Sequence, residues 1–325
     1  MIYFIERGEK VMRINAVKRT VITGVLLSLL SFGLFADQGT TAAVFLKLDQ
    51  GVRPISMGGA FVAAADDVNA ISWNPAGLSQ LEGFEVSFMH SVWIVDIFYD
   101  YLALAYAAGE IGTFGLSLVY VNYGSIPKWD EFGNPQGDFS GSDIAVNLAY
   151  GTVINKELSL GITVKGFNQS IDEEGAFGFA ADIGAIYKLP VEGLQAGISA
   201  QNLGPKFGFG EAFLLPMILR IGASYTGIRN LMLNLEYAQP VETNGIIAGG
   251  LEYWYRDLLV LRMGYQYQGM FDRNKYYENY AGPSIMAGFV IGAGIKIDIY
   301  EIDYAYRQFG VLGSSHRAGL TVKFK

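Results

Sequence analysis

The chain of 325 residues contains no cysteine and only two histidines, His90 and His316. Without cysteine it can build neither a disulfide framework nor a thiolate metal site. Two histidines do not furnish a His-rich metal site. The sequence therefore predicts a protein with no bound metal and no cofactor.

Charge is also scarce. Charged residues make up 17% of the chain, where a soluble domain carries about 25%. The net charge is −8, so there is no basic excess for phosphate binding and nucleic acid is not an expected partner. Hydrophobic residues reach 51%, which excludes a disordered chain. Either the core is very large or much of the outer surface faces lipid.

Long apolar runs are absent after residue 36, which excludes a helical inner-membrane protein. Before that point Arg13, Lys18 and Arg19 precede an apolar stretch at residues 21–35, and Ala36 precedes Asp37. This order is typical of a signal peptide, here residues 1–36, with Met12 as the expected true start. An uncleaved anchor helix is the alternative, but the stretch falls short of the ~20 residues that span a bilayer.

From residue 84 onward apolar residues recur at every second position, the period of a β-strand. In residues 144–151, for example, the apolar positions are Ile144, Val146, Leu148 and Tyr150. A β-sandwich alternates too. Two features favour a membrane barrel: segments of about 10–12 residues, and an apolar face that often ends in tyrosine, as expected at a membrane interface. The tyrosines are Tyr106, Tyr120, Tyr150, Tyr187, Tyr225, Tyr237, Tyr253, Tyr265 and Tyr306.

About fourteen such segments fit between residues 84 and 324, an even number as in bacterial barrels. Every second connection between them is short, and the long ones fall on one side. We therefore predict an all-β, transmembrane, 14-stranded antiparallel outer-membrane barrel over residues 84–325. Its external loops are expected at 124–141, 204–215 and 270–286, and both chain ends in the periplasm.

Residues 37–83 follow a different pattern, being small, apolar and rich in glycine. Asp66 or Asp67 is a candidate cap for a short helix that Pro75 or Gly77 interrupts, and Asn74 is expected to bond its own backbone in a turn. The residues that carry the pattern are Gly58, Gly59, Asp66, Asp67, Trp73, Asn74, Pro75, Ala76 and Gly77.

This stretch resembles the N-terminal plug of the FadL-like outer-membrane barrels, and more narrowly the PorV/PorQ branch. Further matching stretches lie at residues 90–93, 249–253, 303–306 and 315–317. The resemblance implies a 14-stranded barrel whose N-terminal segment folds into the lumen as a plug. It also implies a role in type IX secretion, in which the barrel docks or shuttles exported proteins.

The alternation places charged residues of both signs on the inner face of the barrel. The expected set is Lys165, Asp182, Arg220, Glu236, Glu252, Arg262, Lys296, Asp298, Asp303, Arg307, Arg317 and Lys323. They form either a polar permeation path or an ion-pair network that holds wall and plug together. The second interpretation is favoured because buried charges are normally paired.

Catalysis is not expected. Ser315 and His316 are the adjacent nucleophile–base candidates, but neighbours in a strand point to opposite faces and cannot act on each other. His90 lies near Ser87 and Ser91 without a carboxylate at a spacing that would orient it.

Three alternative functions are consistent with this sequence. A PorV-like docking protein would bind secreted cargo or a surface-attachment complex through loop aromatics, namely Trp129, Phe132, Phe139, Phe271, Tyr276 and Tyr277. A FadL-like channel would take up hydrophobic small molecules through a pocket lined by Phe207, Phe209, Phe213, Leu214 and Leu215. The third is a structural outer-membrane protein, whose partner is outer-membrane lipid. The docking role is the main prediction.

Overall fold

The structure is a computed structural model that describes residues 39–93, 97–268, 288–309 and 313–324. The expected signal peptide at 1–36 lies outside the described residues, as do Phe271, Tyr276 and Tyr277. No helix within the described ranges is both long and apolar enough to cross a bilayer.

Within those residues fourteen strands follow one another along the chain. They are β1 (Phe84–Val92), β2 (Phe98–Ala107), β3 (Thr113–Trp129), β4 (Pro135–Val153), β5 (Leu158–Ile171), β6 (Glu174–Lys188), β7 (Leu194–Leu203), β8 (Ile218–Ile228), β9 (Leu231–Pro240), β10 (Ile246–Tyr255), β11 (Leu259–Gln268), β12 (Phe289–Ile297), β13 (Tyr300–Gln308) and β14 (Ser314–Phe324).

The strands close into a ring. Each pairs antiparallel with the next, and β14 pairs with β1, so that Phe84 lies opposite Phe324 with the two rings stacked at 5.8 Å. The predicted 14-stranded antiparallel barrel is confirmed. Closure matters because a sheet without edges satisfies its backbone hydrogen bonds internally, as a membrane requires.

The two faces of the ring differ as the alternation predicts. In β3, Phe114 and Leu116 are exposed on the outside, whereas Ser117 and Val119 are buried inside. Leu148 and Leu235 on other strands are each 62% exposed. A large apolar side chain left in water forgoes about 1.5–3 kcal/mol. A continuous belt of such residues is therefore a lipid-facing surface.

The two ends of the barrel also differ. We call the end where β1 begins and β14 ends the base, and the opposite end the mouth. Each of the six base connections has five residues or fewer, and the longest connections, 204–217 and 269–288, both lie at the mouth. Exposed tyrosines such as Tyr106, Tyr187 and Tyr300 lie at the base ends of their strands, where a half-polar ring fits the membrane interface.

The prediction of a loop over residues 124–141 is wrong. Strands β3 and β4 continue through most of it, with Ser125 opposite Ser140 and Ile126 opposite Phe139, and only residues 130–134 form the turn. Register shifts follow Asn122 and Pro127. The glycines and prolines of this stretch suggested a loop, but bulges absorb them and the hairpin stays paired.

The segment ahead of β1, residues 39–83, contains only short helices. They are a 3₁₀ helix at Val44–Lys47, α-helical turns at Val52–Ser56 and Ala70–Trp73, and a second 3₁₀ helix at Pro75–Gln80. We call residues 39–83 the luminal segment, because its helices contact strands on both sides of the ring.

Candidate functional site in the barrel interior and at its mouth

The luminal segment packs inside the ring. The helix Val52–Ser56 contacts β11 to β14, whereas Pro75–Gln80 contacts β3 to β6 on a different part of the wall. A segment that touches both sides of a closed ring lies within it. Ile55, Phe61 and Ile71 have no exposed surface, although each belongs to a chain of short helices with no core of its own.

Glycines on the inner wall make this packing close. A Cβ at Gly161 would collide with the backbone of Pro75, and one at Gly264 with the backbone of Met57 and Gly58. Gly58 itself has a φ of +67°, which favours glycine, and a Cβ there would lie 2.7 Å from the amide nitrogen of Tyr265. Small residues on the wall thus leave room for the luminal backbone.

Arg53 is the main polar link between the luminal segment and the wall. Its guanidinium donates to Glu252 of β10 through Nε at 2.8 Å and Nη2 at 3.0 Å. Nη1 donates to Asp66 at 2.5 Å and to Asp67 at 2.9 Å. Arg53 was not among the residues predicted for this segment. The available signal was a lone arginine in an otherwise apolar, glycine-rich stretch.

The roles expected for Asp66 and Asp67 need correction. The helix that follows begins after Asn69, whose side chain makes no capping bond. Asp67 accepts the Asn69 amide at 2.8 Å but uses its other oxygen for Arg53. A buried arginine needs carboxylates more than a single helical turn needs a cap.

Asn74 fixes the centre of the luminal segment. Its Nδ2 donates to the carbonyl of Val62 at 2.7 Å and to that of Ala185 in β6 at 3.1 Å. Its Oδ1 accepts the Ala76 amide at 3.2 Å, which is the expected turn, and Pro75 then begins the 3₁₀ helix. Asn74 therefore joins two parts of the segment to the wall.

The neighbouring motif residues are also buried. Trp73 Nε1 donates to the carbonyl of Gln50 at 2.8 Å. A Cβ at Gly77 would meet the carbonyl oxygen of Ala65, and Trp73 packs against both Phe61 and Gly59. Ala76 has no exposed surface.

Nine of the twelve charges expected on the inner face have an oppositely charged partner in the structure. Arg220 pairs with Glu236 at 2.7 Å, and Lys165 with Asp182 at 2.8 Å. Glu236 also accepts the amides of Phe61 and Val62 at 2.9 and 2.8 Å. The pairs therefore join strand to strand, and Glu236 joins the wall to the luminal segment.

Near the base, Arg262 is the centre of a denser cluster. It donates to Glu252 at 2.6 Å, to Glu301 at 2.9 Å and to Asp303. Lys323 lies 3.7 Å from Glu301. Glu301 was not in the predicted set, although it lies two residues before Asp303 on β13 and the alternation gives both residues the same face.

The remaining predicted charges lie at the two ends. Arg307 near the mouth pairs with Asp49 of the luminal segment at 2.7 Å. Lys296 is half-buried near the base. Asp298 was expected in the lumen but lies exposed in the β12–β13 turn with a φ of +56°. Arg317, which was also expected on the inner face, forms no ion pair with any described residue.

An apolar cluster lies at the mouth. The Phe167 ring of β5 contacts Phe45 of the luminal segment at 6.1 Å and Phe207 at 5.0 Å between centroids. Phe207 and Leu215 are buried, but Phe209, Phe213 and Leu214, which were expected in the same pocket, are exposed. The 204–217 connection is tied inward where the Ala42 amide donates to Leu214.

The barrel wall changes beside this cluster. Strand β7 ends at Leu203, opposite Ala181, so among the described residues 174–180 of β6 have no partner in β7. Asp182 accepts the amide of Asn202 at 2.7 Å in the bulge where the register shifts. A Cβ at Gly178, within the unpaired stretch, would contact the rings of both Phe167 and Phe207. Apolar rings thus lie behind the part of β6 that extends beyond β7 at the mouth.

The aromatic side chains proposed as partner contacts are partly accessible. Trp129 at the end of β3 is 60% exposed, and Phe132 in the hairpin turn is 81% exposed. Phe139 is half-buried within β4 rather than in a loop. Within the described ranges no group of three or more His, Asp or Glu side chains is arranged to hold a metal ion.

Comparison with known proteins identifies the fold. The model of an uncharacterised protein family, UPF0164, matches residues 36–184. No curated protein sequence matches the chain. Similar solved structures include monoaromatic hydrocarbon channels, toluene transporters and a FadL homologue, so the chain has the fold of a FadL-type outer-membrane barrel.

Three of these structures illustrate the similarity. The toluene transporter TbuX of Ralstonia pickettii has a TM-score of 0.60 at 14% identity over 86% of this chain and 100% of its own. The toluene transporter TodX of Pseudomonas putida has a TM-score of 0.57 at 15% identity over 89% and 97%. A FadL homologue of Pseudomonas aeruginosa has a TM-score of 0.57 at 12% identity over 83% and 98%.

Proposed function

We propose that this protein is an outer-membrane channel that admits apolar small molecules, with the luminal segment as its plug. The observation that carries the proposal is the apolar cluster of Phe45, Phe167 and Phe207, which lies behind the part of β6 that extends beyond β7. The cluster lies beside the mouth, so an apolar solute that arrives from outside can reach it before the segment that packs deeper in the lumen.

The proposed route runs from the mouth or from the outer leaflet to this cluster. An apolar solute that contacts Phe167 and Phe207 gains from leaving water, at about 25 cal/mol per Å² of buried apolar surface. Farther in, the luminal segment fills the ring, so passage requires part of that segment to move. Similar solved structures are described as hydrocarbon channels and toluene transporters, which supports this choice of solute.

The test is uptake of labelled toluene by intact cells that express the protein in a lipopolysaccharide-containing outer membrane and lack other channels of this kind. We expect uptake to exceed that of the empty-vector strain. Gly178→Trp should abolish the gain, because even a Cβ there would collide with Phe167 and Phe207, so the indole displaces both rings. Heat-sensitive gel mobility checks that this variant is folded. Equal uptake with and without the protein would refute the channel.

The predicted docking role remains as a second candidate, supported by the exposed Trp129 and Phe132 at the β3–β4 hairpin. Large exposed aromatic side chains are typical anchors of protein interfaces. Phe132→Ala separates the two functions. Under the channel proposal it leaves toluene uptake unchanged, whereas under the docking proposal it weakens capture of surface proteins crosslinked in intact membranes.

A further inference from the structure

Among the described residues, Arg317 is a buried cation without an ion-pair partner, whereas the buried cations Lys165 and Arg262 are both paired. It points inward from β14, is 4% exposed, and no described carboxylate lies within ion-pair distance of it. The contact it makes with a polar side chain is a 3.3 Å bond from Nε to the hydroxyl of Ser91 on β1. Its Nη1 is buried with no hydrogen-bond partner.

Neighbouring donors surround the same spot. Ser315 lies two residues away on the same face of β14, has no exposed surface, and its hydroxyl has no partner. Arg307 of β13 stands directly opposite Ser315 in the register. Arg307 uses its terminal nitrogens for Asp49 and Gln266, but its Nε is likewise buried and without a partner.

The charge balance of this patch is positive. Among the described residues, the charged groups that face Arg317 are Arg307, which repels it, and Asp49, which attracts it but is already bound to Arg307. Tyr99 of β2 stands opposite Ser91 and is 2% exposed, so the patch is covered on that side by a neutral ring. Two guanidinium groups therefore share one carboxylate.

A guanidinium buried without a counter-charge destabilises the fold, and a paired guanidinium does so much less. Arginine offers only donors, and a serine hydroxyl can donate as well. Three free donors and one surplus positive charge are complementary to a single negative ion that accepts hydrogen bonds. Water would satisfy the donors but would leave the charge uncompensated.

We propose that Arg317, Arg307 and Ser315 form a binding site for a small monovalent anion, a halide or a small carboxylate, beneath the mouth of the barrel. The site lies on the β13–β14 side of the ring. It is separate from the Phe167–Phe207 cluster on β5 and the 204–217 connection, and it does not depend on whether apolar molecules pass.

Thermal unfolding of the full protein in detergent tests the site. The melting temperature is measured while chloride replaces gluconate at constant ionic strength, because gluconate is a bulky anion that a closed site excludes. We expect a saturable rise of several degrees, as for any ligand that binds only the folded state. A parallel titration with formate shows whether the site accepts a carboxylate as well as a halide.

Variants show whether the chloride-dependent rise in melting temperature comes from this site. Arg317→Met should abolish the chloride-dependent rise, and Ser315→Ala should shift its midpoint to higher chloride. Arg256→Gln, in an exposed turn at the base, should keep the full response and so controls for general salt effects. If Arg317→Met fails to fold, the shifted midpoint in Ser315→Ala still tests the proposal.

Crystals grown in bromide give the direct observation. An anomalous peak within hydrogen-bond distance of Arg317 Nη1 and Ser315 Oγ supports the proposal. A carboxylate of the chain itself found at that position would overturn it. So would a melting temperature that does not distinguish chloride or formate from gluconate.

Discussion

Arg53 and Glu252 are 199 residues apart in the chain and form a two-point ion pair inside the barrel, with N–O distances of 2.8 and 3.0 Å. The parallel geometry of such a pair fixes both groups in orientation as well as distance. It joins the luminal segment to β10, and Asp66 and Asp67 hold the same guanidinium from the luminal side.

Removing this guanidinium should loosen the luminal segment. Arg53→Met leaves Asp67 buried without an ion-pair partner and Glu252 with Arg262 alone, for which we expect a loss of about 3–5 kcal/mol. Thermal unfolding in detergent measures it. Lys128→Met is the matched control, since Lys128 and Asp172 form an exposed pair at 2.6 Å whose loss should change the stability little. Equal effects of the two variants would contradict the assigned role.

The side chain of Asn74 should be irreplaceable at its position. Asn74→Ala removes the amide that donates to the carbonyls of Val62 and Ala185. Because each carbonyl loses this donor, we expect a destabilisation of about 1–3 kcal/mol. Ser79→Ala is a milder comparison, because the Ser79 hydroxyl bonds only within its own 3₁₀ helix, to Ala76. A melting temperature of Asn74→Ala equal to that of the parent would show that these bonds do not stabilise the fold.

Gly264 should be intolerant of even one methyl group. A Cβ there collides with Met57 and Gly58, and overpacking of this kind costs about 1–3 kcal/mol. A Cβ added at Gly249 on the adjacent strand would lie 3.9 Å from the carbonyl oxygen of Asn234, an ordinary contact, so Gly249→Ala is the control. We expect protease to cleave the luminal segment faster in Gly264→Ala than in Gly249→Ala. The same cleavage rate in both would argue against the close packing.

Lys165 should stabilise the fold because it pairs with Asp182, whose side chain has no exposed surface. Lys165→Met leaves that carboxylate buried with only the Asn202 amide, and we expect a loss of about 3–5 kcal/mol. The double variant Lys165→Met, Asp182→Leu should recover part of the loss, because no unpaired charge remains. A double variant less stable than Lys165→Met alone would show that the bulge contact of Asp182 outweighs its charge.

Much of the barrel could be predicted from residue order, because lipid on one side and a packed lumen on the other force a strict two-residue period. The count of strands and the inward position of charges such as Arg220 and Glu236 follow from that period alone. The β3–β4 hairpin could not be predicted in the same way. Beyond the membrane both faces meet water, the alternation fades, and only backbone pairing shows that Ile126 lies opposite Phe139.

The interior could be predicted less well. Residues 37–83 share a composition typical of a tightly packed segment, but their partners lie more than a hundred residues away, as with Asn74 and Ala185. No local pattern links such positions. The unpaired state of Arg317 was equally inaccessible, because alternation gives the face on which a residue lies and not the charge that stands opposite it.

The most direct test of the account is the ion conductance of single barrels in planar bilayers, with and without residues 39–83. If the luminal segment is a plug, as we propose, the intact protein should show little conductance. The deletion variant, shown to be folded by its heat-sensitive gel mobility, should open a large and stable pore. A folded deletion variant that conducts no more than the intact protein would contradict the claim that this segment closes the lumen.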